Sequence, residues 1–314
     1  MKAIGGYFEL ECGKTPLYYA DGIYLNICRS ALRYLIRALK IKKMHVPIYT
    51  CNVVHDAILQ EKCQIELYNL NEKFLPNKEF PKTDFILYNN YFGVLGKNVN
   101  TLSNIYPNLI VDNAQAFYSN PSCRAAIYSP RKFFGLPDGG ILRGKDIPTL
   151  NLEEGHSFEI SSHLLKRIDY DAQAAYKDFI NNDKALENYP VQRMSSLTKS
   201  IMGNINYEKV ASIRKKNFEL LHNALKSTFP FSMADDDIPM VYPLILRNGM
   251  DIRNKLISSN IFVARYWPNV LNSCQEEELE YQFVTQILPL PIDQRYGEND
   301  MKRIIRVIND ALIS

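Results

Sequence analysis

Two hydrophobic periods alternate through the first half of this chain, and that alternation constrains its fold more than any other feature. Residues 30–40, SALRYLIRALK, place Leu32, Leu35, Ile36 and Leu39 on one face of a helix, with Ser30 as a candidate cap or first-turn residue. Residues 45–50 predict a short strand, 53–62 a helix and 63–70 a strand. Apolar runs at 85–90, 109–114 and 125–130, and the glycine-bounded run 139–144, predict further strands. Strands alternating with helices argue for a mostly parallel α/β sheet. Ligands of such sheets bind beyond the carboxyl ends of the strands, which directs attention to Asn89–Asn90, Asp112–Asn113 and Ser129.

The second half is organised differently. Residues 157–186 predict polar helical structure, and 207–227 a long amphipathic helix with Val210, Ile213, Phe218, Leu221 and Leu225 broadly on one side. Residues 240–246 predict a strand, 252–260 a helix, 261–266 a strand and 300–312 a closing helix. This pattern suggests a smaller α+β domain, 186–314, after a large α/β domain, 1–185; the length of 314 residues suits two domains.

Composition narrows the function classes. Lys plus Arg is 37 and Asp plus Glu is 34, a formal charge of +3. So even a balance gives no global field for nucleic acid or an anionic membrane. No apolar run approaches the ~20 residues of a membrane span, and residues 1–10 do not resemble a secretory signal, so a cytoplasmic protein is expected. The six cysteines contain no C-x-x-C pair and are expected to be reduced. The five histidines have no metal-binding spacing, and no metal site is expected.

Three local patterns carry candidate chemistry. Ser129-Pro130-Arg131-Lys132 ends an apolar strand; Lys132 is either a solvated surface charge or a Schiff-base lysine facing the cleft, with Ser129 able to reach a phosphate. Asp112-Asn113-Ala114-Gln115 follows the strand LIV. Asp112 either caps a turn or pairs with a pyridinium nitrogen, and Gln115 shares its face if the chain turns helical. Cys28-Arg29-Ser30-Ala31-Leu32 opens the first helix, either as plain helix or as a phosphate cup using free first-turn N–H groups, Arg29 and Ser30. Each signal is weak alone. Their order along one α/β half-chain is what makes them informative.

With these residues in view, the chain resembles the DegT/StrS sugar aminotransferase family of fold-type I enzymes that use pyridoxal 5'-phosphate (PLP). The likeness runs from about Gly5 to Leu312. Arg29-Ser30-Ala31-Leu32 is similar to the family's first-helix segment, Pro47-Ile48-Tyr49-Thr50 to its Pro-x-x-Thr, and Asn90-Tyr91-Phe92-Gly93 to its small-residue turn. Val111-Asp112-Asn113-Ala114-Gln115 resembles its Glu-Asp-x-Ala-Gln, and Ser129, Lys132 and Gly139-Gly140 its Ser…Lys…Gly-Gly. Gln192-Arg193-Met194 through Asn217 resembles its Tyr-Arg-Met segment and the helix after it.

The resemblance implies a fold-type I transferase with a large PLP-binding domain and a small C-terminal one. Lys132 would hold PLP covalently and shuttle a proton, and Asp112 would pair with the ring nitrogen. Gln115 would lie near the ring and its 3-hydroxyl; Arg29, Ser30 and Ser129 would hold the phosphate. Cys51 falls where the family stacks an aromatic ring on PLP, with Tyr49 or Phe92 as replacements. The Ser-to-Lys spacing of three is shorter than in most members, and the chain is short for the family. Members acting as sugar dehydratases carry histidine in place of the lysine, so Lys132 favours transamination. The implied reaction moves an amino group from glutamate to a nucleotide-linked keto sugar in polysaccharide or related biosynthesis, in a homodimer acting on small molecules. A regulatory or scaffold protein of the same fold, or another PLP reaction such as a lyase, is the alternative. Tyr7, Arg265 and Trp267 are candidates for the substrate mouth.

Overall fold

The computed structural model describes residues 4–13 and 15–313. Its first part contains β1 (Ile23–Leu25), α1 (Cys28–Leu39), β2 (Lys43–Pro47), α2 (Asn52–Gln60), β3 (Gln64–Tyr68) and β4 (Phe85–Asn89). α3 (Gly96–Ile105), β5 (Leu109–Asn113), β6 (Ala125–Tyr128) and β7 (Gly140–Gly144) complete it. The seven strands form one sheet in the order β1-β7-β6-β5-β4-β2-β3. β3, β2, β4, β5 and β6 run parallel; at one edge β7 runs antiparallel to β6, and β1, antiparallel to β7, returns to the common direction. This is the mostly parallel α/β sheet that the alternating periods predict.

Successive residues of a strand face opposite sides, so the sheet has two separate cores. Met44, Val46, Leu87, Ile110, Ala125 and Leu142 pack with α1 and α2. Ile86, Tyr88, Val111, Ala126 and Tyr128 face α3 and the C-terminal part. α1 buries Ala31, Leu32, Leu35, Ile36 and Ala38, and ends at Lys40 in the left-handed conformation. α3 is not evident in the sequence, because only Val99 and Leu102 supply large apolar side chains to the core.

The remainder contains α4 (Ser162–Asp169), α5 (Tyr176–Ala185), α6 (Ser196–Met202), α7 (Tyr207–Leu225), β8 (Val241–Ile245), α8 (Gly249–Ser258), α9 (Leu279–Gln286), β9 (Ile287–Pro291) and α10 (Glu298–Ile313). The helical region predicted over 157–186 is thus two helices. Residues 261–266 are not a strand. β8 pairs antiparallel with β9 instead, in the register Tyr242↔Leu290. The misreading has a physical source: Ile261 and Val263 are buried while Phe262 and Ala264 are exposed, so the period-2 pattern is present without a ladder. The carbonyl of Val263 accepts from Arg253 Nε at 2.9 Å. Residues 192–194 remain attached to the large sheet, where Asn26 N donates to Gln192 O and Met194 N to Tyr24 O, each at 3.0 Å. Among the described residues, no helix is long and apolar enough to cross a membrane, and no group of three His, Cys, Asp or Glu could hold a metal ion.

Candidate active site

Register builds the floor of the site. Asn89 on β4 pairs with Asp112 on β5, and Asp112 pairs with Ile127 on β6. Partners in register share a face, so these three side chains form one row at the carboxyl ends of three parallel strands. They line a cavity of about 230 Å³. Its other walls include Cys28 and Arg29 at the start of α1, Thr50 and Cys51 after β2, Gln115, the Ser129–Lys132 turn, Asp183 of α5 and Trp267.

The start of α1 reaches the cavity because glycine lets it. Gly139 has φ +137, and its N–H donates to Asn26 O at 2.5 Å. A Cβ on Gly140 would overlap the carbonyl of Ile27, the residue that opens α1. No side chain among the described residues caps α1; within its first turn Ser30 N donates to Ile27 O at 3.0 Å, and Cys28 and Arg29 line the cavity.

The short Ser-to-Lys spacing is explained by backbone geometry. Pro130–Lys132 is one 3₁₀ turn, with Lys132 N donating to Ser129 O at 3.1 Å and Phe133 N to Pro130 O at 3.0 Å. The turn closes over Ser129, and both Ser129 and Lys132 line the cavity. Two groups from the C-terminal part hold the next residue: Gln294 Nε2 donates to Phe133 O at 2.7 Å, and the Arg214 guanidinium stacks on the Phe133 ring at 4.5 Å.

Gln115 is held by a strained loop. Phe92 has φ +61, costly for a bulky residue, and its N–H donates to Gln115 Oε1 at 2.8 Å. That bond fixes the amide orientation and leaves Nε2 buried without a hydrogen-bond partner among the described residues. The chain reaches Gln115 by a turn rather than a helix, with Ala116 N donating to Asn113 O at 2.9 Å.

Asp112 accepts from Ala114 N at 2.8 Å. Burial pushes its carboxyl above the ordinary value, while the positive charge of Lys132 and the Ala114 N–H act the other way. Burial likewise pushes the Cys28 thiol up, and the Asp112 charge adds to this.

The structure therefore brings Arg29, Cys51, Asp112, Gln115, Ser129 and Lys132 to one wall-to-wall cavity. Ser30 is apart from them. It lies inside the first turn of α1, fully buried, with Oγ unpartnered among the described residues and off the cavity wall; Ile27, not Ser30, is the capping position. Tyr49 and Phe92 are buried behind the wall. The aromatic ring on the wall is Trp267, in a left-handed conformation at φ +51 and supported edge-on by Tyr49 at 4.6 Å. Asn269 Nδ2 ties its loop to Thr50 O at 3.1 Å. Arg265 and the fully exposed Tyr7 are not on the wall. Arg131 and Asp183 are also on it; the guanidinium directly before Lys132 is a sequence signal for the first, while nothing in the polar run around 183 marks the second.

No protein-family model and no curated protein sequence matches this chain. Solved structures do. A DegT DnrJ EryC1 StrS aminotransferase from Brucella abortus is 15% identical, with a TM-score of 0.62 over 92% of this chain and 85% of its own. A sugar aminotransferase from Micromonospora echinospora is 12% identical, with a TM-score of 0.60 over 93% of this chain and 87% of its own. A Bacillus subtilis protein solved with bound cofactor PMP is 13% identical, with a TM-score of 0.65 over 93% of this chain and 73% of its own. This chain has the fold that these proteins share.

Proposed function

We propose that this protein is a PLP-dependent aminotransferase that passes the amino group of glutamate to a nucleotide-linked keto sugar. The observation that carries the reading is the meeting of Lys132 and Asp112 on the wall of one strand-end cavity. The fold is that of a Micromonospora echinospora sugar aminotransferase and of a protein solved with PMP, which supports the same cofactor class.

The residues present fit that cofactor. Gln115 Nε2 is a buried donor without a partner among the described residues, suited to a ring oxygen. Asp112 has room for a cationic ring nitrogen, which would hold its carboxylate ionised against burial. Arg29, Ser129 and the positive N-terminal end of α1 suit a phosphate. When bound, PLP supplies a carbonyl that captures amines and a ring that accepts electrons. The chain supplies the rest. Lys132 Nζ is the amine on the wall, the base that takes a proton from the substrate carbon. Trp267 covers the cavity from the C-terminal part, and Cys51 lines it beside Thr50.

The division into parts 1–185 and 186–314, a homodimer and a cytoplasmic location belong to this proposal and rest on the family resemblance. Borohydride reduction of the PLP-loaded protein is expected to label Lys132, and Lys132→Ala to lose the label and at least about 10²-fold of turnover. A label that survives in Lys132→Ala overturns the assignment. No spectral change with L-glutamate supports the scaffold alternative, and product formation without a keto acceptor supports a lyase.

A further inference from the structure

The cavity holds more charge than the proposed chemistry uses. Arg131 lies in the same turn as Lys132 and lines the cavity beside Ser129 and Arg29. Its side chain is only 15% exposed, yet its Nε is buried with no hydrogen-bond partner among the described residues. Its one ion pair among the described residues is loose, with Nη2 3.5 Å from Oδ1 of Asp183. Asp183 is on α5, its side chain is 58% exposed, and it also lines the cavity. Arg29 makes a similar loose contact one turn further on, donating from Nη1 to Glu187 O at 3.3 Å. Both guanidiniums on this side of the cavity therefore hold segment 183–187.

We propose that Arg131 is an anion-binding residue of this cavity and that Asp183 is a built-in competitor, so that a phosphate monoester and the docking of α5 exclude each other. The inference rests on the PLP reading for the identity of the ligand, but its geometry applies to any phosphate monoester. A dianion between Ser129, Arg29 and Arg131 satisfies the open Nε and gains charge-assisted hydrogen bonds. Asp183 would then face the dianion with like charge and lose its partner. An ion pair this long, with its carboxylate more than half exposed, contributes little, so the exchange is easy. Competition is reciprocal: whatever weakens the hold of Asp183 on Arg131 tightens phosphate binding. Asp183 thus sets how firmly the phosphate is held while taking no part in the chemistry.

Trp267, the single tryptophan, lines the cavity and reports occupancy without turnover. Its quenching is to be titrated with PLP, with pyridoxal, which lacks the phosphate, and with inorganic phosphate, in wild type, Asp183→Asn and Arg131→Met. Asp183→Asn is expected to tighten PLP and inorganic phosphate about threefold. Arg131→Met is expected to weaken both about tenfold or more. Pyridoxal is expected to respond to neither substitution. Hydrogen exchange in 176–187 is expected to speed up when phosphate is added. Unchanged or weaker phosphate binding in Asp183→Asn, equal effects on pyridoxal, or slower exchange in 176–187 on binding each overturn the proposal. If wild type binds inorganic phosphate with this dependence but takes no borohydride label from PLP, the PLP reading fails and the anion-competition proposal stands. If wild type binds neither phosphate nor PLP, the proposal falls too.

Discussion

The cavity floor around Asp112 and the clamp around Asp138 both bury a carboxylate, and in both burial raises the carboxyl above its ordinary value. Their surroundings differ. Asp138 accepts from Ser195 N at 3.1 Å, from Ser195 Oγ at 3.0 Å and from Thr198 Oγ1. Those bonds fasten the start of α6 to the loop beside Gly139–Gly140, the turn that lets α1 approach. Asp112 has, among the described residues, the single donor Ala114 N. Asp237, beside the start of α3, is intermediate in its bonding, accepting from Gly96 N and Ala234 N, both at 2.9 Å. A buried carboxylate with its acceptors filled is architecture; one left open at a cavity is available to a ligand.

Substitutions at the three positions sharpen or break this contrast. The largest effect is expected for Asp112→Asn. Turnover of the PLP-loaded protein should fall about 10²–10³-fold while the thermal midpoint without cofactor holds or rises. The sign follows from the raised carboxyl. The folded chain binds that proton more tightly than the unfolded chain, so the stability it contributes is lost as pH rises above the ordinary carboxylate range. Asparagine removes the penalty. A midpoint that drops as far as it does for the clamp variant would erase the distinction. Next is Asp138→Ala, which strands three donors and is expected to cost about 3 kcal/mol in urea unfolding, since each buried group left unpaired costs of order 1 kcal/mol or more. If Asp138→Ala unfolds with wild-type midpoint, the clamp is not structural. The smallest effect is expected for Asp237→Asn. Burial pushes Asp237 up to about 6, from 3.8, so its contribution is full below the ordinary value and lost as pH rises to about 6. Wild type should lose about 2 kcal/mol more than Asp237→Asn between pH 4 and pH 7. Parallel pH profiles for the two proteins would show that Asp237 does not titrate in that window.

Much of the site is legible in the sequence because it depends on strand ends. Asp112 is near the end of β5, Ser129 and Lys132 follow β6, and parallel strands deliver their carboxyl-terminal residues to the same edge. Ser30 shows where pattern alone falls short. A serine near a helix start has the composition of a cap, but the helix begins at Cys28, which turns Ser30 into the core. The strand expected over 261–266 fails for a related reason. Alternation reports which side chains are buried, while a strand also needs a neighbour with free N–H and C=O groups, and β9 takes that place. Trp267 stands out as the lone tryptophan, yet its position against Cys51 and Thr50 depends on a left-handed backbone and on Asn269.

By itself the sequence determined the alternating α/β architecture and the order of Arg29, Asp112 and Lys132 along it, since hydrophobic period and residue type are local properties of the chain. Only the tertiary structure decided which polar groups are left without partners. Gln115 loses one end of its amide to Phe92 and keeps the other for the cavity, Asp138 is filled and Asp112 is not, and Arg131 shares the wall with Asp183. Whether a buried polar atom is satisfied depends on groups far away in sequence, brought within hydrogen-bond reach by packing, and no local pattern carries that information.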